Sequence, residues 1–295
     1  MISLRVATTP DDLVVWADVK SRIVPNEPVT AEQLATTDEP GRLLLLAERE
    51  GTVAGCGIAS PSSFGGRVFV AARVLPEHRR QGVGGELVRA LLDHGRALGR
   101  DGVNAFVDAG DEPSLAFARR LGLEEVDYQL EQVRTISADE PAPGLPAGVE
   151  LTPLTDRRLE LLRTVWPVAE QGYADMPLPG AITMPLATWL RDEATRPEGS
   201  FAAFEGGEVV GYAGLCEHAN GLATAEHGLT VVRRDRRRRG IALALKQAQL
   251  HWASRSGVVE LVTWTQRGNE AMQALNAALG YRNRLRVLTM QGPLA

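Results

Sequence analysis

The chain has 295 residues, 44% of them hydrophobic and 23% charged, with a net charge of −5. These are ordinary values for a soluble globular protein, and the length favours two domains over one. The acidic balance argues against a molecule built to coat nucleic acid or an anionic membrane. Cys56 and Cys216 are too few for a disulfide framework, and no Cys/His spacing suggests a metal site. No apolar run approaches the roughly 20 residues of a membrane helix, and the opening MISLRVATTPDDL lacks a signal-peptide layout. The expected location is cytoplasmic.

Taken in chain order, the two halves repeat one another. Each opens with a strand leading into a turn and a helix start, LRVATTPDDL from Leu4 and VELTPLTDRRL from Val149. A strand–turn–strand follows in each, with turns at Glu50-Gly51 and Gly206-Gly207. A longer strand comes next, Arg67 to Val74 and Glu226 to Val232, then an arginine-rich turn and a glycine that opens a helix. Val83, Leu87, Leu91 and Leu98 share one face of the first of these helices, and Ile241, Leu245, Ala248 and Trp252 one face of the second. Gly102 and Gly257 are the expected helix ends. A strand and a last helix close each half at Gly122 and Gly280, both 40 residues after the helix-opening Gly82 and Gly240. Equal spacing through three elements points to duplication. The run Ser137 to Gly148, SADEPAPGLPAG, reads as a linker, giving an N-terminal domain at 1–137, a linker at 138–147 and a C-terminal domain at 148–295.

The repeated motif has a physical reading. Val74 to Gly84 sets Arg79, Arg80, Gly82 and Gly84 between a strand and a helix, and Arg237, Arg238, Arg239, Gly240 and Ala242 take the matching places after Val232. The first turn of a helix offers unpaired N–H groups and a positive dipole end, and small residues let a pyrophosphate approach the backbone. Neither copy has Walker A or GxGxxG spacing.

With this Arg-x-x-Gly-x-Gly/Ala cradle, and with NEAMQALNAALGY from Asn269 to Tyr281, the chain resembles the GNAT superfamily of N-acetyltransferases. More narrowly it is similar to tandem-GNAT proteins of the mycothiol synthase type, whose second copy is catalytic. The resemblance implies an α/β fold of two tandem domains, each a mixed, mostly antiparallel sheet flanked by helices, with the fourth and fifth strands splayed. It implies acetyl-CoA as acyl donor, held by the backbones of Val231, Val232 and Arg237 through Ala242, with Asn269 near the pantetheine. The expected reaction is direct acetyl transfer to a primary amine of a small molecule in the second domain.

An aliphatic amine needs a base, and Glu226 lies on the fourth strand of the second half, fourteen residues before Gly240. Strand alternation sets Glu226 on the face of Thr230 and Val232, with His227 on the other. Equal counting from Gly82 gives Val68 in the first half, which accepts no proton. The family's usual acid, a tyrosine four residues before the closing glycine, is Asn276 here and Ala118 in the first half. Asn276 donates a hydrogen bond but delivers no proton, and Tyr173, Tyr212 and Tyr281 are the alternatives for the acid, among which the sequence does not choose. With Asp111 in place of Asn269, the first half is expected not to turn over. Tyr173, Asp175 and Trp264 are the candidate acceptor-binding residues, Tyr173 and Asp175 within the proline-rich stretch Trp166 to Gly180. Competing readings are a mycothiol-synthase-like enzyme and a non-catalytic acyl-CoA sensor. No nucleic acid, membrane or metal partner is expected, and the assembly is expected to be a monomer or homodimer.

Overall fold

The structure is a computed structural model that describes residues 1–25, 27–37, 39–62, 66–177 and 184–294. In chain order its first elements are β1 (Ile2–Val6), α1 (Pro10–Ile23), α2 (Ala31–Thr36), β2 (Leu43–Arg49), β3 (Thr52–Pro61) and β4 (Arg67–Val74). Next come α3 (Val83–Ala97), β5 (Gly102–Asp108), α4 (Glu112–Arg120) and β6 (Glu124–Thr135). The second series is β7 (Val149–Pro153), α5 (Arg158–Ala174), α6 (Leu186–Asp192), β8 (Phe201–Glu205), β9 (Glu208–Glu217) and β10 (Thr224–Val232). It ends with α7 (Ile241–Ala253), β11 (Glu260–Gln266), α8 (Glu270–Ala278) and β12 (Arg282–Pro293).

The chain folds into two compact units, Met1–Tyr128 with Val287–Ala295, and Gln129–Arg286. These bounds differ from the linear halves at 1–137 and 148–295. Residues 287–293 of β12 pair antiparallel with β5 inside unit 1, from Val287↔Asp108 to Pro293↔Gly102. Residues 129–135 of β6 pair antiparallel with β11 inside unit 2, from Glu260↔Thr135 to Gln266↔Gln129. Each half therefore lends a strand to the other unit's sheet. The run 138–147 forms no helix or strand and is held within unit 2, where Glu140 pairs with Arg134 and Gly144 N–H donates to Gln247 Oε1.

Both sheets have the same mixed, mostly antiparallel plan. In unit 1, β1, β2, β3 and β4 pair antiparallel in turn and β4 pairs parallel with β5; in unit 2, β7, β8, β9, β10 and β11 repeat this arrangement. Local chemistry explains the hairpins. Glu50 and Gly51, and Gly206 and Gly207, all have positive φ, the backbone a two-residue turn needs to match strand twist. Helix α1 starts on a capping box in which Thr9 and Asp12 each bond the other's N–H. The end of α3 falls earlier than the sequence suggests: Gly99, at φ 68, bonds back to Arg96 O, and Gly102 is the first residue of β5.

Helices cover both faces of each sheet. In unit 1, Leu87 and Leu91 of α3 pack with Leu115 and Leu123 on one face, and Trp16 and Val19 of α1 with Leu44 and Leu46 on the other. In unit 2, α5 and α6 cover one face through Leu162, Val165 and Trp189, and α7 covers the other through Ile241, Leu245 and Leu250. Leu288 and Met290 of β12 are nearly fully buried in the α3-side core of unit 1. Truncating either to alanine is expected to cost about 2–5 kcal/mol, read as a fall in the urea midpoint; a loss below about 1 kcal/mol would show that this strand is peripheral to the unit 1 core.

Candidate active site

Two features of unit 2 build the candidate site: a fork between parallel strands, and a glycine-opened loop, the expected cradle, where β10 turns into α7. Strands β10 and β11 pair at Thr224↔Glu260, Ala225↔Leu261 and Glu226↔Val262, and then part. In unit 1, β4 and β5 part after Arg67↔Gly102, Val68↔Val103 and Phe69↔Asn104. The splay implied by the resemblance is thus present in both units.

The cradles match closely. Arg79 Nε donates to Val74 O at 3.0 Å and Arg237 Nε to Val232 O at 3.0 Å, bracing each loop against its strand. Arg80 and Arg238 take left-handed backbone at φ 61 and 63, and Gly82 and Gly240 follow at φ 87 and 82. Such alternation turns successive N–H groups inward as an anion-binding nest. Neither α3 nor α7 has a side-chain cap at its N-terminus, so no side chain claims the first-turn donors. A Cβ added to Gly240 would meet only Pro146 Cγ, at 3.8 Å; the glycine is required by its φ rather than by crowding. Gly84 and Ala242 keep the first turn low. These residues fit the diphosphate of a CoA thioester.

Ion pairs organise the second cradle's arginines. Asp175, at the end of α5, binds Arg234 and Arg237, and these two guanidinium groups hold its carboxyl down at about 2. The carboxylate expected to meet the acceptor is thus engaged by cradle cations in this structure. Glu205 likewise bonds Arg236 at 2.7 Å and Arg239 at 2.6 Å.

One irregularity decides how the site faces. Between β10 and β9 the register runs Glu226↔Cys216 and His227↔Leu215, then Thr230↔Ala213, so β10 carries one extra residue in a bulge. In unit 1 the β3–β4 ladder runs from Pro61↔Val68 to Gly55↔Val74 without a shift. Two corrections follow. The bulge reverses the alternation: His227 lies on the α7 face with Thr230 and Val232, and Glu226 lies opposite, on the α5–α6 face with its cross-strand neighbour Cys216, whose Sγ reaches Asp192 O at 3.6 Å. Counting back from the cradle also misaligns the halves by one, so the counterpart of Glu226 at the last paired position is Phe69, not Val68. Phe69 stacks on Phe106 with ring centroids 5.6 Å apart. Val68 is core, facing α3 at Gly95.

The side chain that sequence reading missed is Glu193, which follows α6. Its Oε1 accepts Tyr212 O–H at 3.0 Å and, at 3.1 Å, Leu229 N–H from the bulge itself. A Cβ at Gly214 or Gly228 would fall 1.9 or 2.0 Å from that oxygen, so both glycines clear its seat. Gly228 inside a strand was the available signal, because such a glycine commonly marks a bulge or a close approach.

The other expected residues fall as follows. Tyr173 lies edge-on to Trp189, 6.1 Å between centroids, and burial raises its pKa. Its neighbour Gly172 brings α5 against Val231, to 2.8 Å from a would-be Cβ. Residues 178–180 of the proline-rich stretch lie outside the described residues. Trp264 is half-buried, two residues past the last β10–β11 pair, on the face of Glu226. Asn269 begins α8 without capping it, whereas Asp111 caps α4 at Ser114 N–H. Asn276 is fully buried and donates through Nδ2 to Gln132 Oε1 at 2.8 Å. Val231 packs toward α5 and Val232 toward α7, and past Glu226 the fork-side edge of β10 has no strand partner among the described residues. Among those residues no cluster suits a metal ion, and no helix is long and apolar enough to cross a membrane.

A paired sheet with a fork, a glycine-opened helix after the fourth strand and a second copy of both define a tandem acyl-CoA-binding fold. The sequence profile of the Acetyltransferase (GNAT) family matches residues 11–123 and 163–281, and the chain belongs to that family: it is a GNAT acetyltransferase with two tandem GNAT regions. It is 27% identical over 288 residues, 92% of each chain, to a mycothiol acetyltransferase of Kocuria rhizophila. It is 28% identical over 228 residues, 75% of this chain and 68% of the relative, to a mycothiol acetyltransferase of Pseudarthrobacter chlorophenolicus. Its fold is similar to that of a GCN5-related N-acetyltransferase from Sphaerobacter thermophilus, with a TM-score of 0.80, 22% identity and coverage of 99% and 96% of the two chains. It is also similar to a tandem GNAT protein from the clavulanic acid biosynthesis pathway, with a TM-score of 0.77, 19% identity and coverage of 100% and 99%.

Burial pushes Glu193 up to about 7 from an ordinary 4.5, against the pull of its Tyr212 and Leu229 bonds. Between those values the native protein keeps a proton that the unfolded chain has lost, so this group's contribution to stability falls as pH rises through that window. The thermal midpoint of the wild type is therefore expected to decline from about pH 5 to pH 7 relative to Glu193→Gln, which does not ionise. Parallel midpoint curves for the two proteins would refute the raised value.

Proposed function

We propose that unit 2 transfers the acetyl group of acetyl-CoA directly to the primary amine of a small molecule, with Glu226 as general base. The observation that carries this reading is the position of Glu226, a carboxylate at the last paired residue before the fork, on the α5–α6 face, with an uncapped cradle at the other end of the same strand. Unit 1 has the same cradle but fills the matching place with the Phe69–Phe106 stack, which supports a binding or structural role for it.

The family's donor, acetyl-CoA, supplies an activated thioester. The nest from Arg237 to Ala242 holds its diphosphate, and the open edge of β10 near Val231 and Val232 aligns the pantetheine arm. Asn269 offers that arm an amide not spent on helix capping. Glu226 takes the proton that the acceptor amine must lose to attack. Tyr173 and Trp264 line the approach. Asn276 has one N–H committed to Gln132 and a second available to steady the leaving sulfur.

The relatives named mycothiol acetyltransferase favour, as a second reading, an acceptor of the kind those enzymes use. Thiol release from acetyl-CoA over an amine panel, with such acceptors included, separates the two. Glu226→Gln is expected to lower kcat by about 10²–10⁴ and to remove the acid limb of the pH profile, with acetyl-CoA affinity within about twofold of wild type. Full turnover by this variant at every pH would show that another group is the base.

A further inference from the structure

Duplication supplies an internal control for the core beneath α7 and α8. In unit 1 the corresponding core under α3 and α4 is apolar, with Val70, Val88, Leu91, Ala118 and Leu123 all buried. Unit 2 carries His227, Lys246, Gln249, Asn276 and Tyr281 in the matching places, all at 7% exposure or less. Unit 1 shows that the fold packs without polar groups there, and burying them costs stability. They are also incompletely bonded. His227 Nε2 meets Tyr281 Oη at 2.5 Å, Gln249 Nε2 donates to Gly214 O at 3.0 Å, and Lys246 Nζ lies 5.2 Å from the Tyr281 ring centroid. Lys246 Nζ and Asn276 Oδ1 are shielded from solvent and have no hydrogen-bond partner among the described residues.

Their place in the fold gives these groups a target. His227 is the first residue of β10 beyond its last pair with β11. Lys246 lies six residues into α7 from Gly240, about 9 Å along the helix axis from the cradle. No carboxylate among the described residues pairs with it. We propose that Lys246, steadied by the Tyr281–His227 pair, is the cation that meets the leaving sulfur and protonates it, the task that Asn276 cannot perform. This rests on the acetyl-transfer reading given above.

In the step, the bond from the amine nitrogen to the acetyl carbon forms and the carbon–sulfur bond breaks, with its electron pair passing to sulfur. Lys246 gives a proton to that sulfur while the proton of the attacking amine goes to Glu226; once the products leave, Glu226 releases its proton to solvent and Lys246 takes one up, so the cycle neither gains nor loses a proton. Burial draws the Lys246 pKa down to about 7, and a neighbouring anion raises it again, so proton exchange near neutrality is within reach. The groups facing it are His227 from β10, kept neutral by burial and by Lys246 itself, and Tyr281 at the head of β12, beyond which lies the Arg134–Glu140 pair.

The test needs no acceptor. CoA bound to the full chain is titrated by the ultraviolet absorbance of its thiolate. The wild type is expected to lower the bound thiol's pKa by about one unit or more relative to free CoA, and K246M to abolish that shift. An unchanged shift in K246M, or no shift in the wild type, overturns the proposal. In turnover, K246M is expected to lose the alkaline limb of kcat. The quadruple variant H227V/K246V/Q249L/Y281L, built from the residues of unit 1, is expected to fold at least as stably and bind acetyl-CoA within about threefold, yet lose about 100-fold or more in kcat. Undiminished kcat in that variant also overturns it; should the variant not fold, the K246M titration decides. Absence of amine-dependent turnover in a wild type that shows the thiol shift counts against the acetyl-transfer reading alone.

Discussion

The extra residue in β10 is the constraint on which the rest of the second unit's site depends. A bulge in an antiparallel pair leaves one backbone N–H without a ladder partner. Glu193 supplies that partner to Leu229, and Gly214 and Gly228 give up their side chains to admit it. In return the strand reverses face between His227 and Thr230. Glu226 is thereby turned toward α5 and α6 while His227 is turned toward Lys246 and Tyr281. Without the bulge, Glu226 and the buried polar cluster would not lie on these opposite faces of the sheet.

Unit 1 shows what the same plan becomes without that constraint. Its β4 runs in unbroken register, a phenylalanine holds the last paired position, and the core beneath α3 is apolar. Its cradle nevertheless keeps the arginine brace, the left-handed arginine and the glycine-opened helix. The two copies therefore differ where chemistry would occur and agree where an anion would be held. Sequence divergence has been spent on the fork rather than on the frame.

The frame was legible in the amino-acid sequence because its signals are local. A cradle is a strand end, a glycine and a helix start within a dozen residues, and the equal interval from each cradle to its closing glycine exposed the repeat. What escaped depends on partners distant in sequence. The exchange of β6 and β12 pairs Val287 with Asp108 and Glu260 with Thr135, and nothing in either strand's composition announces which sheet it will join. The partners of Asp175 were not legible because the arginines it meets lie about sixty residues on. The bulge shifted a count by one, enough to substitute Val68 for Phe69 and to invert a face. Gly228 was the single local hint of it.

The polar groups beneath α7 also bear on how stability is distributed. A buried donor or acceptor without a partner costs about 1–3 kcal/mol, and unit 2 carries several where unit 1 carries aliphatic carbon. Beneath this helix, though not everywhere in the two units, one copy settled on carbon and the other on polar groups. That asymmetry is what a stability–function compromise predicts: the copy holding a carboxylate at the fork is also the copy that tolerates a lysine without an anionic partner beneath α7. The same low-dielectric surroundings that make Lys246 expensive in the resting protein strengthen its interaction with any negative charge that develops at the fork.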